Sequence, residues 1–436
     1  MSTLRRRRAW GTGLALGVAV CGLAGAARAY PTDAGERTGI RRLAWQRAID
    51  ADERRGRKDP PGAQWPSDRI ALRMLAAGHD FDLGAQTPKD SALQAALETL
   101  LRRTEWRQYH VALLDITEPA TPRFAAVRET EPQTPGSVAK VLIAAGMLRE
   151  LRQRFPDDVA ARERLLREAQ VSADAWAMPN HHEVPVVEGT SAAVRPVRVG
   201  DRFSLWEWMD HALSPSSNAA ATMLWREATL MHLLAAGYPP AVYDAPLWQR
   251  WTKADFTTAA FEVVDAPLVE AGLDPQTFLL RLFFTRGASS YVQGDTSRVT
   301  PLALVQWLLR VEQGRMVDAF SSLELKRMLY LTRRRIRYAK SPALRDAAVF
   351  FKSGSLYQCQ PEAGYTCAAY EGNAVNVLNS LVEVETAAVT IPEDAKNTAP
   401  ARNPVYIVGV MSNELKTNAA DAHERLASAI HELMLR

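Results

Sequence analysis

The stretch TPGSVAKVLIAAGML, residues 134 to 148, sets Ser137 and Lys140 three positions apart at the head of an apolar helical stripe. On a helix the two share a face, and their tips come within hydrogen-bond reach. A serine hydroxyl is a poor nucleophile at neutral pH because it holds its proton tightly. A neighbouring amine can take that proton only while it is itself neutral, which burial and nearby positive charge favour by lowering its pKa. The chemistry suggested is nucleophilic attack by Ser137 with Lys140 as its proton acceptor. This is the only Ser-x-x-Lys in the chain, but roughly 0.4 such pairs are expected by chance, so the pair alone decides nothing.

Two further short motifs follow. In HALSPSSNAAATMLW, helical spacing stops at Pro215 and resumes after Asn218, which leaves Ser216, Ser217 and Asn218 in a tight connection between helices. Alone, they read as a helix stop and an N-cap. In FFKSGSL, Lys352, Ser353, Gly354 and Ser355 close a strand pattern. There a lysine offers a fixed charge to a substrate carboxylate, and a glycine lets a substrate backbone approach the strand. Alone, that motif reads as a blunted edge strand.

Taken in order, Ser-x-x-Lys, Ser-Ser-Asn and Lys-Ser-Gly are far more specific than apart, because together they parallel the signature of serine β-lactamases and penicillin-binding proteins. From about residue 91 to the C-terminus the sequence resembles that superfamily, most closely the class A β-lactamase catalytic domain. TSRVTPLALVQWLLRVEQG followed by LELKRMLYL resembles the helical segment that precedes the lysine strand there. The resemblance implies that Ser137 is acylated, that Lys140 is its proton-transfer partner and that Ser216 relays a proton to the leaving nitrogen. Asn218 is then expected to bind substrate and position Lys140, while Lys352 and Ser353 hold the substrate carboxylate. Backbone N–H groups of Ser137 and Ser355, beside Gly354, form the implied oxyanion hole. The family needs no metal or organic cofactor, and none is expected.

The sequence departs from that pattern at Ser217, where the family has aspartate, and at Ser353, where it has threonine. A larger departure concerns the deacylating glutamate of the Glu-x-x-Leu-Asn loop. The nearest match is VEAGLDPQ, with Glu270, Leu273 and Asp274, 54 residues after Ser216 and behind an apparent helical insertion. Glu270 is the candidate base and Glu262 a poorer one; for both, a surface carboxylate is the default. MPNHHEVP brings together His181, His182 and Glu183, but adjacent histidines point apart and no third spaced ligand follows. They read as a solvated loop, and His423 and His431 as surface positions.

The elements that must position these residues are legible in outline. SALQAALETLLRR has helical spacing from a serine able to cap, and YHVALLDITEPATPRFAAVRE reads as a hairpin. Helical patterns dominate to about residue 338, broken by loops around 171–200 and 237–255, and strand patterns return in AAVFFKSGSLYQC and PVYIVGVMSN before a closing amphipathic helix. The expected fold is α+β, an antiparallel sheet built from both ends of the domain with flanking helices and an inserted all-helical subdomain. The expected domains are a signal peptide over 1–29, a partly irregular extension over 30–90 and the hydrolase domain over 91–436. Within that domain the sheet subdomain takes 91–136 and 341–436, and the helical subdomain 137–340.

The first residues, MSTLRRRRAWGTGLALGVAVCGLAGAARAY, have the basic start, apolar run and small-x-small ending of a cleaved secretory signal. Cys21 follows Val20 where a lipoprotein signal wants a small residue. Without the leader, 48 basic side chains face 49 acidic ones, and no basic stripe with interleaved aromatics argues for nucleic acid. Cys359 and Cys367 read as a short-loop disulfide of an exported protein. The expected protein is periplasmic or secreted, monomeric and without a membrane span after signal cleavage. Its expected partner is a small-molecule β-lactam, with peptidoglycan stem peptide as the alternative substrate of a D,D-carboxypeptidase or transpeptidase. The insertions near 171–200 and 232–262 leave a third reading open, a non-catalytic binding protein on the same scaffold.

Overall fold

The computed structural model describes residues 33–56, 65–330, 335–386 and 403–436. The expected leader and Cys21 lie outside the described residues.

Helix α1 (Arg41–Asp50) lies in the N-terminal extension, and α2 (Ser91–Leu101) opens the region that carries the main sheet. Strands β1 (His110–Asp115) and β2 (Arg123–Val127) form the first hairpin, and α3 (Lys140–Arg154) follows. A second hairpin, β3 (Glu183–Glu188) with β4 (Ser191–Pro196), precedes α4 (Leu205–Leu213), α5 (Asn218–Leu234) and α6 (Lys253–Glu270). Then come α7 (Pro301–Glu312), α8 (Ala319–Tyr330), three long strands β5 (Ala348–Gln358), β6 (Val375–Glu385) and β7 (Val405–Asn413), and α9 (Ala419–Met434).

The five strands β1, β2, β5, β6 and β7 form one antiparallel sheet in the order β2-β1-β7-β6-β5, so the two ends of the domain meet at the β1–β7 pair. Alternation along the strands explains the layering, since successive side chains point to opposite faces. Val111 and Leu113 pack with Leu97, Leu426 and Ile430 of α2 and α9, whereas Ala112 and Leu114 join the larger core of the helical region. The helical segment is not purely helical: the expected loop at 171–200 carries the β3–β4 hairpin. Two smaller readings also change. Asp90, one residue before Ser91, caps α2 by accepting from the Leu93 amide. His423 and His431 are buried, His423 lying between the hydroxyls of Ser380 and Ser412 and His431 beside the Tyr406 hydroxyl.

The extension is tied to the helical region by charge. Arg42 makes two 2.6 Å bonds to the buried Asp210 of α4, and Arg41 pairs with Glu207 on the same helix. Further on, the backbone of Arg73 donates to Glu312 and its guanidinium pairs with Glu385. These carboxylates surround Lys326, which is fully buried and contacts Glu312, Glu383 and Glu385 at 2.6, 2.8 and 2.6 Å. Despite its burial, the three carboxylates hold Lys326 above the ordinary lysine range. The disulfide Cys359–Cys367 closes the connection between β5 and β6.

Candidate active site

Ser137 lies in a single tight turn, Gly136–Ala139, that runs directly into α3 with Lys140 as its first residue. Gly136 has φ +55°, a conformation that costs glycine little and other residues more. The turn is pressed against β5. A Cβ on Gly354 would lie 2.3 Å from the Pro135 carbonyl oxygen and 2.7 Å from the Ser137 amide nitrogen, and one on Gly136 would lie 3.1 Å from the Ser355 nitrogen. Gly354 is therefore needed first for the approach of the turn that carries Ser137, where the sequence suggests a substrate backbone. From the neighbouring strand, Asn379, paired in register with Gly354, donates to the carbonyls of Thr134 (2.8 Å) and Pro135 (3.0 Å). It pins the chain just ahead of Ser137.

Lys140 is completely buried. Its Nζ donates to the Ser216 carbonyl at 2.5 Å and to Asn218 Oδ1 at 2.8 Å, with the Ser216 hydroxyl at 3.4 Å. The first and second motifs thus meet through the lysine. Ser216 sits at φ +63° in the α4–α5 connection, which turns its carbonyl and hydroxyl inward. Ser217, standing where the family has aspartate, is the buried N-cap of α5 and accepts from the Ala220 amide. From β5, Lys352 Nζ donates to the Ser216 hydroxyl at 2.8 Å and to the Ser353 carbonyl at 2.9 Å. Ser216 therefore lies between the side-chain nitrogens of two lysines.

Among the described residues neither lysine has a carboxylate partner. Burial, followed by the charge of Lys352, pushes the Lys140 amine well below the usual lysine range. Burial, followed by Arg337, brings Lys352 down to about 7. The contrast with Lys326 isolates the cause: three equally buried amines differ in whether acids surround them. A lysine whose pKa is depressed in this way gives up its proton more readily than an ordinary one, and one that is partly charged beside an open cleft can still hold an anion.

Arg337 completes the cationic wall. With φ +54°, it donates to the hydroxyls of Ser353 (2.6 Å), Ser355 (3.0 Å) and Tyr370 (3.0 Å). The cleft in front of these groups encloses about 460 Å³ and is walled by the β3–β4 hairpin, the α4–α5 connection and β5, with Ile336 and Tyr370 at its rim. His181, His182 and Glu183 belong to that wall, where a solvated loop was expected. His181 and His182 stack with ring centres 4.3 Å apart.

Glu270 is not brought to this cluster. It ends α6 and pairs with Arg149 at 2.8 Å. Arg149 lies nine residues along α3 from Lys140, about 13 Å along the helix axis. Glu262 is exposed and lies 3.7 Å from His232. The group that faces Lys140 from the segment after α6 is Phe284, whose ring centre is 4.8 Å from Nζ.

Arg337, Phe284 and Asn379 are not singled out by the sequence, and His182 reads there as part of a solvated loop. None belongs to a short motif, and only the run of two histidines was visible as a local oddity. Among the described residues no group of His, Cys, Asp and Glu side chains is set to hold a metal ion, and no helix is long and apolar enough to cross a membrane.

A family profile described as the beta-lactamase enzyme family matches residues 92–378. Among solved structures, the TLA-3 extended-spectrum beta-lactamase is 12% identical with a TM-score of 0.52, covering 79% of this chain and 99% of its own. The TLA-1 extended-spectrum beta-lactamase is 13% identical with a TM-score of 0.50, covering 80% and 100%. A beta-lactamase from Chitinophaga pinensis DSM 2588 is 16% identical with a TM-score of 0.49, covering 79% and 98%. For the first two, at these identities, the likeness concerns the fold. Comparison with curated proteins gives no match.

Proposed function

The chain belongs to the beta-lactamase enzyme family, and from that premise we propose that it is an exported serine hydrolase that opens β-lactam amides through an acyl-enzyme on Ser137. The observation that carries this reading is the convergence of Lys140, Ser216, Asn218 and Lys352, with both lysines buried and, among the described residues, unpaired by acid. Lys140, neutral for part of the time, takes the Ser137 proton as the hydroxyl attacks the lactam carbonyl. The developing oxyanion is met by the N–H groups of Ser137 and Ser355, which Gly354 and Gly136 allow to lie close together. The proton returns through Ser216 to the departing nitrogen, and Lys352 recruits the substrate carboxylate, assisted by Ser353 and Arg337.

The second reading, a D,D-peptidase acting on peptidoglycan stem peptide, draws support from Phe284, which stands against Lys140 where a water-activating carboxylate would serve rapid deacylation. The two separate by turnover. The test is absorbance-followed hydrolysis of a chromogenic cephalosporin alongside D-alanine release from a D-alanyl-D-alanine peptide, each repeated with Lys140→Ala. Sustained cephalosporin turnover that falls on the order of 10²-fold or more in Lys140→Ala supports the first reading. D-alanine release with a stalled cephalosporin supports the second. Undiminished turnover in Lys140→Ala contradicts the activation mechanism in both.

A further inference from the structure

An acyl-enzyme must be cleared by an activated water, and neither Glu270 nor Glu262 stands near the cluster. The basic nitrogens of the cleft are mostly engaged: Lys140 donates to Ser216 and Asn218, and Lys352 to Ser216 and Ser353. His182 lines the same cleft as Ser216 and Lys352, and its Nδ1 is buried without a hydrogen-bond partner among the described residues. We propose that His182 is the general base that releases the acyl group from Ser137. The proposal rests on the acyl-enzyme reading above.

The step balances without a further reactant. Water oxygen bonds to the ester carbonyl carbon while one water proton passes to the imidazole. The tetrahedral intermediate then collapses, the carbon–oxygen bond to Ser137 breaks, and the imidazolium proton returns to the Ser137 oxygen. Free enzyme and neutral imidazole are regenerated, with the substrate released as an acid.

The surroundings of His182 couple this step to substrate. In the free protein its imidazole is brought down to about 3, first by burial and then by the charges of Lys140, His181, Lys352 and Arg337. It is thus neutral at physiological pH but a weak base. A substrate carboxylate seated on Lys352 and Arg337 offsets two of those charges, so the imidazole gains basicity while an acyl group occupies the cleft. An acyl donor that lacks a carboxylate leaves the cations unopposed and gains less. Glu183, the exposed neighbour on β3, is the obvious competitor for the role and serves as the control.

The experiment is single-turnover intact-protein mass spectrometry on the full chain with benzylpenicillin, comparing the parent with His182→Gln, His182→Asn and Glu183→Gln. Thermal melts establish that each variant is folded, and two replacements at 182 guard against loss of one. The expected result is adduct formation within about threefold of the parent and adduct decay about 10²-fold slower in both His182 variants, with Glu183→Gln unchanged. The parent's decay should also fall as pH drops through the imidazole titration, a dependence the variants lose. Decay unchanged in the folded His182 variants overturns the proposal. So does formation slowed in parallel with decay, which marks a binding wall, or slow decay confined to Glu183→Gln. A parent adduct that never decays removes the role for His182 while leaving acylation standing. A parent that forms no Ser137 adduct removes both.

Discussion

Gly354→Ala is the smallest change that tests how the nucleophile is positioned. The added methyl would lie 2.3 Å from the Pro135 carbonyl oxygen and 2.7 Å from the Ser137 nitrogen. Ordinary contact begins near 3.4 Å, so β5 and the Ser137 turn must separate by about 1 Å. Both sides of that contact are backbone and cannot swing aside. Asn379 holds the turn from the neighbouring strand through two carbonyls, which resists the shift. A 1 Å misplacement of a reacting group costs on the order of 10²-fold in rate, about 2.7 kcal/mol in the barrier. Overpacking adds about 1–3 kcal/mol of lost stability. The assay is the rate constant for acylation by benzylpenicillin at several concentrations, with a urea titration beside it. A variant that acylates within threefold of the parent would refute the claim that contact between β5 and the turn sets the reacting geometry.

Lys352 supplies a pH prediction whose sign is fixed by its depressed folded-state pKa. At about 7 in the folded protein against about 10.4 when unfolded, the unfolded chain binds more protons between those values, so this residue's destabilisation is complete below pH 7 and fades as pH rises to about 10.4. Lys352→Met should therefore melt higher than the parent at pH 6 and converge with it near pH 10; a constant difference across that range would count against the assignment. Recruitment of a carboxylate substrate by Lys352 should weaken as pH rises through 7, seen as a rising KM in the parent that Lys352→Arg flattens. Lys326→Met leaves Glu312, Glu383 and Glu385 facing one another in the core and should cost about 3–5 kcal/mol in urea unfolding, whereas an isolated surface pair would cost under about 1. Replacing both Cys359 and Cys367 with serine should remove about 2–3 kcal/mol of stability and raise KM, because the loop they close leads to Tyr370 and its bond to Arg337.

The sequence was informative wherever function had to be written locally. Ser137 with Lys140, and Ser216 with Asn218, lie three and two positions apart, so residue type and spacing make them visible, and the order of the motifs along the chain then nominates them. Lys352 was legible as the third member of the ordered motif set, since alone it reads as part of a blunted edge strand. The strand alternation of VALLD and YIVGV placed the sheet through a period tied to burial. Groups delivered by tertiary folding were hidden. Arg337 reaches Ser353 and Ser355 from a turn 16 and 18 residues earlier, and Asn379 works across a strand pair. Neither leaves a trace in a window of ten residues. Glu270 shows the converse: a pattern match nominates it, while in the structure it pairs with Arg149, nine residues along α3 from Lys140. His182 had a local signal, the doubled histidine, but its meaning depended on the β3–β4 hairpin being folded over the cleft.

The central claim, that Ser137 is an acylated nucleophile activated by a buried amine, is tested most directly by mass and site. The full chain is mixed with benzylpenicillin, quenched over milliseconds to minutes, weighed intact and then digested for peptide mapping, with Ser137→Ala and Lys140→Ala in parallel. The expected result is an adduct of the antibiotic's mass confined to the peptide bearing Ser137, absent from Ser137→Ala and formed more slowly in Lys140→Ala by on the order of 10²-fold or more. An adduct that persists in Ser137→Ala, or one that forms as fast without Lys140, would contradict it.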